Sequence, residues 1–173
     1  MSKQVHLSGR ERVMGENEVI VSKTNLKGHI TYGNDVFCKI ADYVPSEVIG
    51  APHNILRHPE MPRSVFKLMW ERIESGREIF AYIVNRGKHG DHYWVLAHVT
   101  PSFDATGKVT GYHSNRRKPD PNAVKAVKQL YARLLEEEKR TGDRKAGLQR
   151  GYDLLNSILK DKGVSYDEFV LSL

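Results

Sequence analysis

The sequence predicts an α+β fold: a five-stranded antiparallel sheet with helices on one face, followed by C-terminal amphipathic helices. Three observations predict it. β-Branched and aromatic runs occur twice before a helical region and three times after it, bounded by glycine, proline or asparagine. Between the second and third runs lies one apolar stripe at helical spacing. Beyond residue 118, helical periodicity takes over to the end.

Residues 1–17 are polar and read as a leader or short cap. Residues 18–24 form the first strand, Asn25-Leu-Lys-Gly28 turns, and residues 29–32 form the second. Gly33-Asn34-Asp35 breaks that strand, and Asn34 or Asp35 is placed to cap a helix over residues 36–43. Residues 45–50 read as one more helical turn. Pro62 suits the first turn of a longer helix that ends before Gly76, with Val65, Phe66, Met69, Trp70 and Ile73 on one face. Strands follow at 79–85, at 91–100 (ended by Pro101) and at 108–115. Tyr93 and Trp94 must point to opposite faces of the sheet, and the alternation leaves open which one faces a ligand.

Asp120 and Pro121 then open a helix with the stripe Val124, Val127, Tyr131 and Leu134. Its acidic run Glu136 to Glu138 sits at the end where the helix dipole disfavours negative charge. Thr141-Gly142-Asp143 breaks the helix. Leu148, Tyr152, Leu155 and Leu159 mark another, closed by Gly163, and Ser165 with Glu168 suits a capping box.

The net charge of +6 is scattered, with one dense run, Asn115-Arg116-Arg117-Lys118. That pattern favours a solvated basic surface over a nucleic-acid stripe, with an anionic ligand as a middle option. No apolar run approaches the ~18 residues of a membrane span, and the N-terminus lacks the apolar centre of a secretory signal. A single cysteine, Cys38, makes no internal disulfide and fits a reducing cytoplasm. The histidines lack metal-ligand spacing: His92 and His98 share strand parity but stand roughly 20 Å apart along a strand. No nucleophile elbow, phosphate loop or carboxylate pair beside a base occurs, so neither catalytic nor metal-binding residues are expected.

One stretch is unusual. HNILRHPEMP, His53 to Pro62, holds two histidines, an arginine, an acid and two prolines with little apolar content. On residues alone it is equally a stiff turn or a site. Together with Ile30-Thr-Tyr-Gly-Asn34-Asp-Val-Phe37, the preceding Gly50-Ala-Pro, Phe66…Met69-Trp70 and Asn85-Arg-Gly-Lys-His-Gly-Asp91-His-Tyr93-Trp94-Val95, it resembles a PAS domain. More narrowly, it resembles the flavin-binding PAS domain of bacterial aerotaxis receptors. The resemblance runs over residues 18–118, which become the sensor domain, with 119–173 as an output or docking segment.

That resemblance implies noncovalently bound FAD, a cytoplasmic redox or oxygen sensor, a signalling protein as partner and a possible homodimer. It implies that Arg57 and His58 supply donors to the anionic or polar parts of the ligand. Trp70 offers a ring face, and Asn34, His53 and Asn85 meet the flavin's polar edge. Asn54, Glu60, Phe66 and Tyr93 complete the implied set. Glu60 departs from the family's usual aspartate, which puts the contacts of that acid in question. Receptors of this family continue into a membrane anchor and a coiled-coil signalling region; this chain contains neither, and is expected to be a stand-alone sensor or a piece of a longer protein. The signal is expected to leave through residues 111–118 into the helix after Asp120. A light sensor with a cysteinyl-flavin bond is set aside because Cys38 lies in the wrong helix. The alternative is a PAS interaction module binding haem, through His53 or His58, or another small ligand.

Overall fold

Strand alternation organises the molecule. The computed structural model describes residues 6–173; the leader expected at the N-terminus begins outside them, at residues 1–5. The strands β1 (Ile20–Asn25), β2 (Ile30–Gly33), β3 (Ile79–Arg86), β4 (His92–Phe103) and β5 (Val109–Arg117) form one antiparallel sheet in the order β2-β1-β5-β4-β3. The expected fold class is what the chain adopts. β4 runs through Pro101 instead of ending before it. There β4 has already passed the end of β3, whose last pairing is Ile79 with Val99, so the missing N–H falls on a locally free edge.

Directly opposed residues share a face. Ser22, Ser114, Val99 and Ile79 therefore make one row across four strands, and Arg116 and Asn85 lie on the same face. That face looks toward α1 (Asp35–Ala41), α2 (Pro45–Val48), a 3-10 turn (His53–Leu56) and α3 (Arg63–Glu74). Tyr93 points to this side. Trp94 points to the other, where its ring lies 6.2 Å from that of Tyr131.

Tyr131 belongs to α4 (Pro121–Lys139), capped by Asp120 as expected. Val124, Val127, Leu130, Tyr131 and Leu134 are buried, each worth about 1.5–3 kcal/mol of apolar burial, so this helix is docked rather than free. α5 (Arg144–Lys162) packs on α3 and α4, and α6 (Tyr166–Leu171) lies along β3. The acidic run is explained here. Glu138 is buried, and its carboxylate accepts from the Arg63 and Ser64 amides (3.2 and 2.8 Å) and from Arg63 Nε (3.1 Å). It caps the N-terminus of a different helix, α3, where Pro62 has no side-chain acceptor to offer. Gly147 and Gly151 of α5 admit it: an added Cβ would stand 2.2 Å from the Glu138 carbonyl oxygen or 2.6 Å from its Cγ.

The outer edge of β3 is closed by side chains. Tyr131 Oη donates to the Tyr82 carbonyl (2.6 Å), Asp167 accepts from the Phe80 amide (3.0 Å), and Met61 Sδ accepts from the Val84 amide (3.4 Å). At the head of β4, buried Asp91 accepts from Ser8 Oγ (2.6 Å), Arg10 (2.7 and 3.0 Å) and Arg12 Nε (2.9 Å). The described part of the leader is thus tied to the sheet, with the Arg12 amide also donating to the His92 carbonyl (2.8 Å) and the His92 amide to the Arg10 carbonyl (2.9 Å).

Candidate functional site

A cavity of about 260 Å³ lies between the sheet and α3. Its apolar wall comes from Phe66, Met69, Trp70 and Ile73 of α3 with Ile83 and Val99 of the sheet. Trp70 meets Tyr112 edge to face at 5.5 Å, and Gly28, in a positive-φ turn, lets the Trp70 ring approach so closely that a Cβ would stand 3.2 Å from it. The mixture of large aromatic faces and a few polar groups suits a flat ligand with one polar edge.

The polar wall is unusual. Arg116, 2% exposed, donates from Nη2 to Ser22 Oγ (2.6 Å) and to His53 Nε2 (2.9 Å). Arginine can only donate, so His53 Nε2 carries a lone pair and the ring is neutral. Burial, reinforced by the Arg116 charge, pushes the His53 pKa down to about 3. Burial lowers Arg116 itself only to about 10, so it remains a cation at neutral pH. No carboxylate pairs with it among the described residues, and Arg116 Nη1, Asn85 Nδ2 and Ser114 Oγ are buried without hydrogen-bond partners. Buried donors left free are costly, on the order of 1–3 kcal/mol each, and ask for an acceptor from a ligand.

Of the residues expected at the site, His53, Asn54, Arg57, Phe66, Trp70 and Asn85 line this cavity. Four do not. Asn34 caps α1: its Oδ1 accepts from the Val21 and Phe37 amides (both 3.0 Å) and its Nδ2 donates to the Val19 carbonyl (2.8 Å), and it is not part of the cavity lining. Tyr93 is on the right face but fully buried and outside the cavity lining, its hydroxyl without a partner among the described residues. His58 faces a neighbouring cleft, with Nδ1 accepting the Glu60 amide (3.2 Å), and Glu60 is exposed in the turn beyond. The stretch is shared between two cavities: His53 lines the first, His58 the neighbouring cleft, and Asn54 and Arg57 line both. For the haem alternative, His53 is the histidine in the cavity, and its Nε2 is engaged by Arg116.

Arg116, Ser22, Ser114 and Tyr112 were not expected at the site. The signal for Arg116 was present: alternation along β5 puts Tyr112, Ser114 and Arg116 on one face and His113, Asn115 and Arg117 on the other. The basic run therefore splits, with one arginine turned inward.

These groups match what a flavin ring would need. The free donors form one polar edge beside a flat apolar slot, which matches a ring of that shape and chemistry. Arg57 stands at the mouth, its guanidinium 4.5 Å above the Phe66 ring and without a carboxylate partner among the described residues. Burial lowers its pKa, and the nearby Glu138 charge opposes that shift. Among the described residues no helix is long and apolar enough to cross a membrane, and no cluster of His, Cys, Asp and Glu is placed to hold a metal ion.

Known proteins agree with this architecture. The PAS fold family matches residues 30–116. The aerotaxis receptor of Escherichia coli (strain K12) is 35% identical over 134 residues, 78% of this chain and 26% of the receptor. The nitrogen fixation regulatory protein of Klebsiella pneumoniae is 24% identical over 57% of this chain and 20% of its own length. The chain thus spans only a minor part of these relatives. Among solved structures, a light-oxygen-voltage domain studied with a flavin analogue superposes with a TM-score of 0.57 at 22% identity, covering 66% of this chain and 86% of that one. The light-state LOV domain of Aureochrome1 gives 0.54 at 23% identity, covering 70% and 91%. At that identity the solved structures speak for the fold, and the family match speaks for descent: the chain belongs to the PAS family, with a relative in the aerotaxis receptors.

Proposed function

We propose that this chain is a sensor domain, not an enzyme, that holds FAD noncovalently and reports redox state to a signalling protein in the cytoplasm. The observation that supports the reading best is Arg116, a buried cation with a free Nη1 donor and no carboxylate opposite it among the described residues. A flavin, when bound, supplies reversible electron uptake, with negative charge gathering on its polar edge. Arg116, Asn85 and Ser114 would hold that edge, while Trp70, Phe66, Met69 and Ile83 would hold the flat body. His53 orients Arg116 and, being neutral with a pKa near 3, does not deliver a proton at neutral pH. Added negative charge is therefore met by a fixed cation.

Two routes connect the cavity to the C-terminal helices. β5 leads from Arg116 into Asp120 and α4. α3, which carries Phe66 and Trp70, is capped by Glu138 of α4. A shift of α3 on the ligand thus loads α4 and α5 directly. The test is reconstitution of the purified chain with FAD. Visible flavin absorption that bleaches with dithionite is expected; a protein that takes up no FAD, or that carries a haem Soret band instead, overturns the reading.

A further inference from the structure

A second cleft, of about 420 Å³, adjoins the cavity and shares Asn54 and Arg57 with it. Five cationic side chains reach it from five elements: Arg57 after the 3-10 turn, Arg63 of α3, Arg86 of β3, Lys139 of α4 and Arg144 of α5. The single carboxylate in its lining, Glu138, is already held by Arg63 and two α3 amides. Arg86 Nε is buried without a partner, although its Nη2 donates to the Ile55 carbonyl (3.1 Å). Such convergence differs from a solvated basic face, where charges point apart and find water or acids. It matches the donor geometry that recognises phosphate oxygens.

The cavity alone is smaller than the about 300–1,000 Å³ that enclose a drug-sized ligand, so a nucleotide with its ring inside must extend beyond it. Its mouth opens at Arg57, which belongs to both spaces.

We infer that the cationic cleft is a pyrophosphate subsite, built in part by the facing ends of α4 and α5, which receives the phosphate chain of a nucleotide whose ring lies in the cavity. The identity of the ring rests on the flavin reading; the phosphate chemistry does not. The C-terminal helices then belong to the ligand site itself, and a ligand with two phosphates braces α4 and α5 against the sensor core.

The test uses the full chain and the double variant Lys139→Glu/Arg144→Glu, whose altered residues are exposed and make no ion pair among the described residues. Both proteins are titrated with riboflavin, with FMN and with FAD, followed by flavin fluorescence, and separately with ADP, followed by calorimetry. The wild type should bind FAD at least about tenfold more tightly than riboflavin, and the variant should lose that advantage while keeping its riboflavin affinity. Equal riboflavin affinity also shows that the variant has folded. If the variant binds FAD as the wild type does, or if the wild type prefers FAD no more than riboflavin, the subsite is wrong and the flavin reading stands. If no flavin binds but ADP binds and the variant loses it, the flavin reading falls and the subsite stands. Failure of all four ligands on the wild type overturns both.

Discussion

Asp91 and Arg116 are both 2% exposed and lie on neighbouring strands' ends, yet their surroundings are opposite. Asp91 is met by Ser8, Arg10 and Arg12, which hold its pKa well below the usual carboxylate range. Among the described residues Arg116 donates only to a hydroxyl and a neutral imidazole, with the Phe37 ring 5.7 Å from its guanidinium, and retains a free donor. Glu138 resembles Asp91, with every oxygen answered by an amide or a guanidinium. A buried charge answered from within the chain joins segments together: Asp91 ties the N-terminal strap to β4, and Glu138 ties α4 to α3. A buried charge left unanswered leaves room for something from outside. Buried charge alone therefore does not mark a site; an incomplete set of partners does.

The contrast can be broken from its structural side. Glu138→Ala strands Arg63 and two helix amides in a buried setting, and should cost about 3–5 kcal/mol of stability in chemical denaturation. A loss below about 1 kcal/mol would mean that water replaces the clasp and that Glu138 does not join the helices.

From the site side the sign reverses. Arg116→Leu removes an uncompensated buried cation, and the ligand-free protein should gain about 1–3 kcal/mol while losing affinity for FAD. A variant that is destabilised without ligand would show that Arg116 is structural and erase the distinction.

Acid sharpens the comparison. Because the folded pKa of Asp91 is depressed, the unfolded chain binds the extra proton first. Its contribution to stability is complete above the ordinary carboxylate value of about 3.9 and is lost as pH falls below that toward the depressed folded value. Denaturation midpoints followed through this range should fall more steeply for the wild type than for Asp91→Asn. The smallest effect concerns Arg10, whose side chain is 70% exposed against 29% for Arg12. Arg10→Ala should cost less than about 1 kcal/mol and less than Arg12→Ala, which also loses contacts to Asp42 and to the Lys39 and Ile40 carbonyls.

The sheet and most helix ends were legible because they depend on local chemistry: Asn34, Asp120, Ser165 and Gly163 act within a turn of where they stand. Half of the site was legible for the same reason, since α3 and the 3-10 turn present Phe66, Trp70, His53 and Arg57 from one short region. Asn34 misled because a cap and a ligand donor need the same side chain, and here that side chain caps α1 and clasps Val19 and Val21 outside the cavity. Glu138 and Arg116 were harder. Each is explained by a partner 75 or 63 residues away in the chain, or by the lack of one, and only the fold brings those positions together. Pro101 misled because a breaker inside a paired strand is tolerated where its neighbour has already ended.

The closed edge of β3 has a consequence for assembly. With the Phe80 and Val84 amides already donating to Asp167 and Met61, and the Tyr82 carbonyl accepting from Tyr131, three backbone groups along that edge are taken before another chain could pair with it. At the far side β2 contributes only four residues. Two copies of this chain that meet are expected to do so through side chains on the helices or on the exposed part of the sheet, in preference to sharing one continuous sheet.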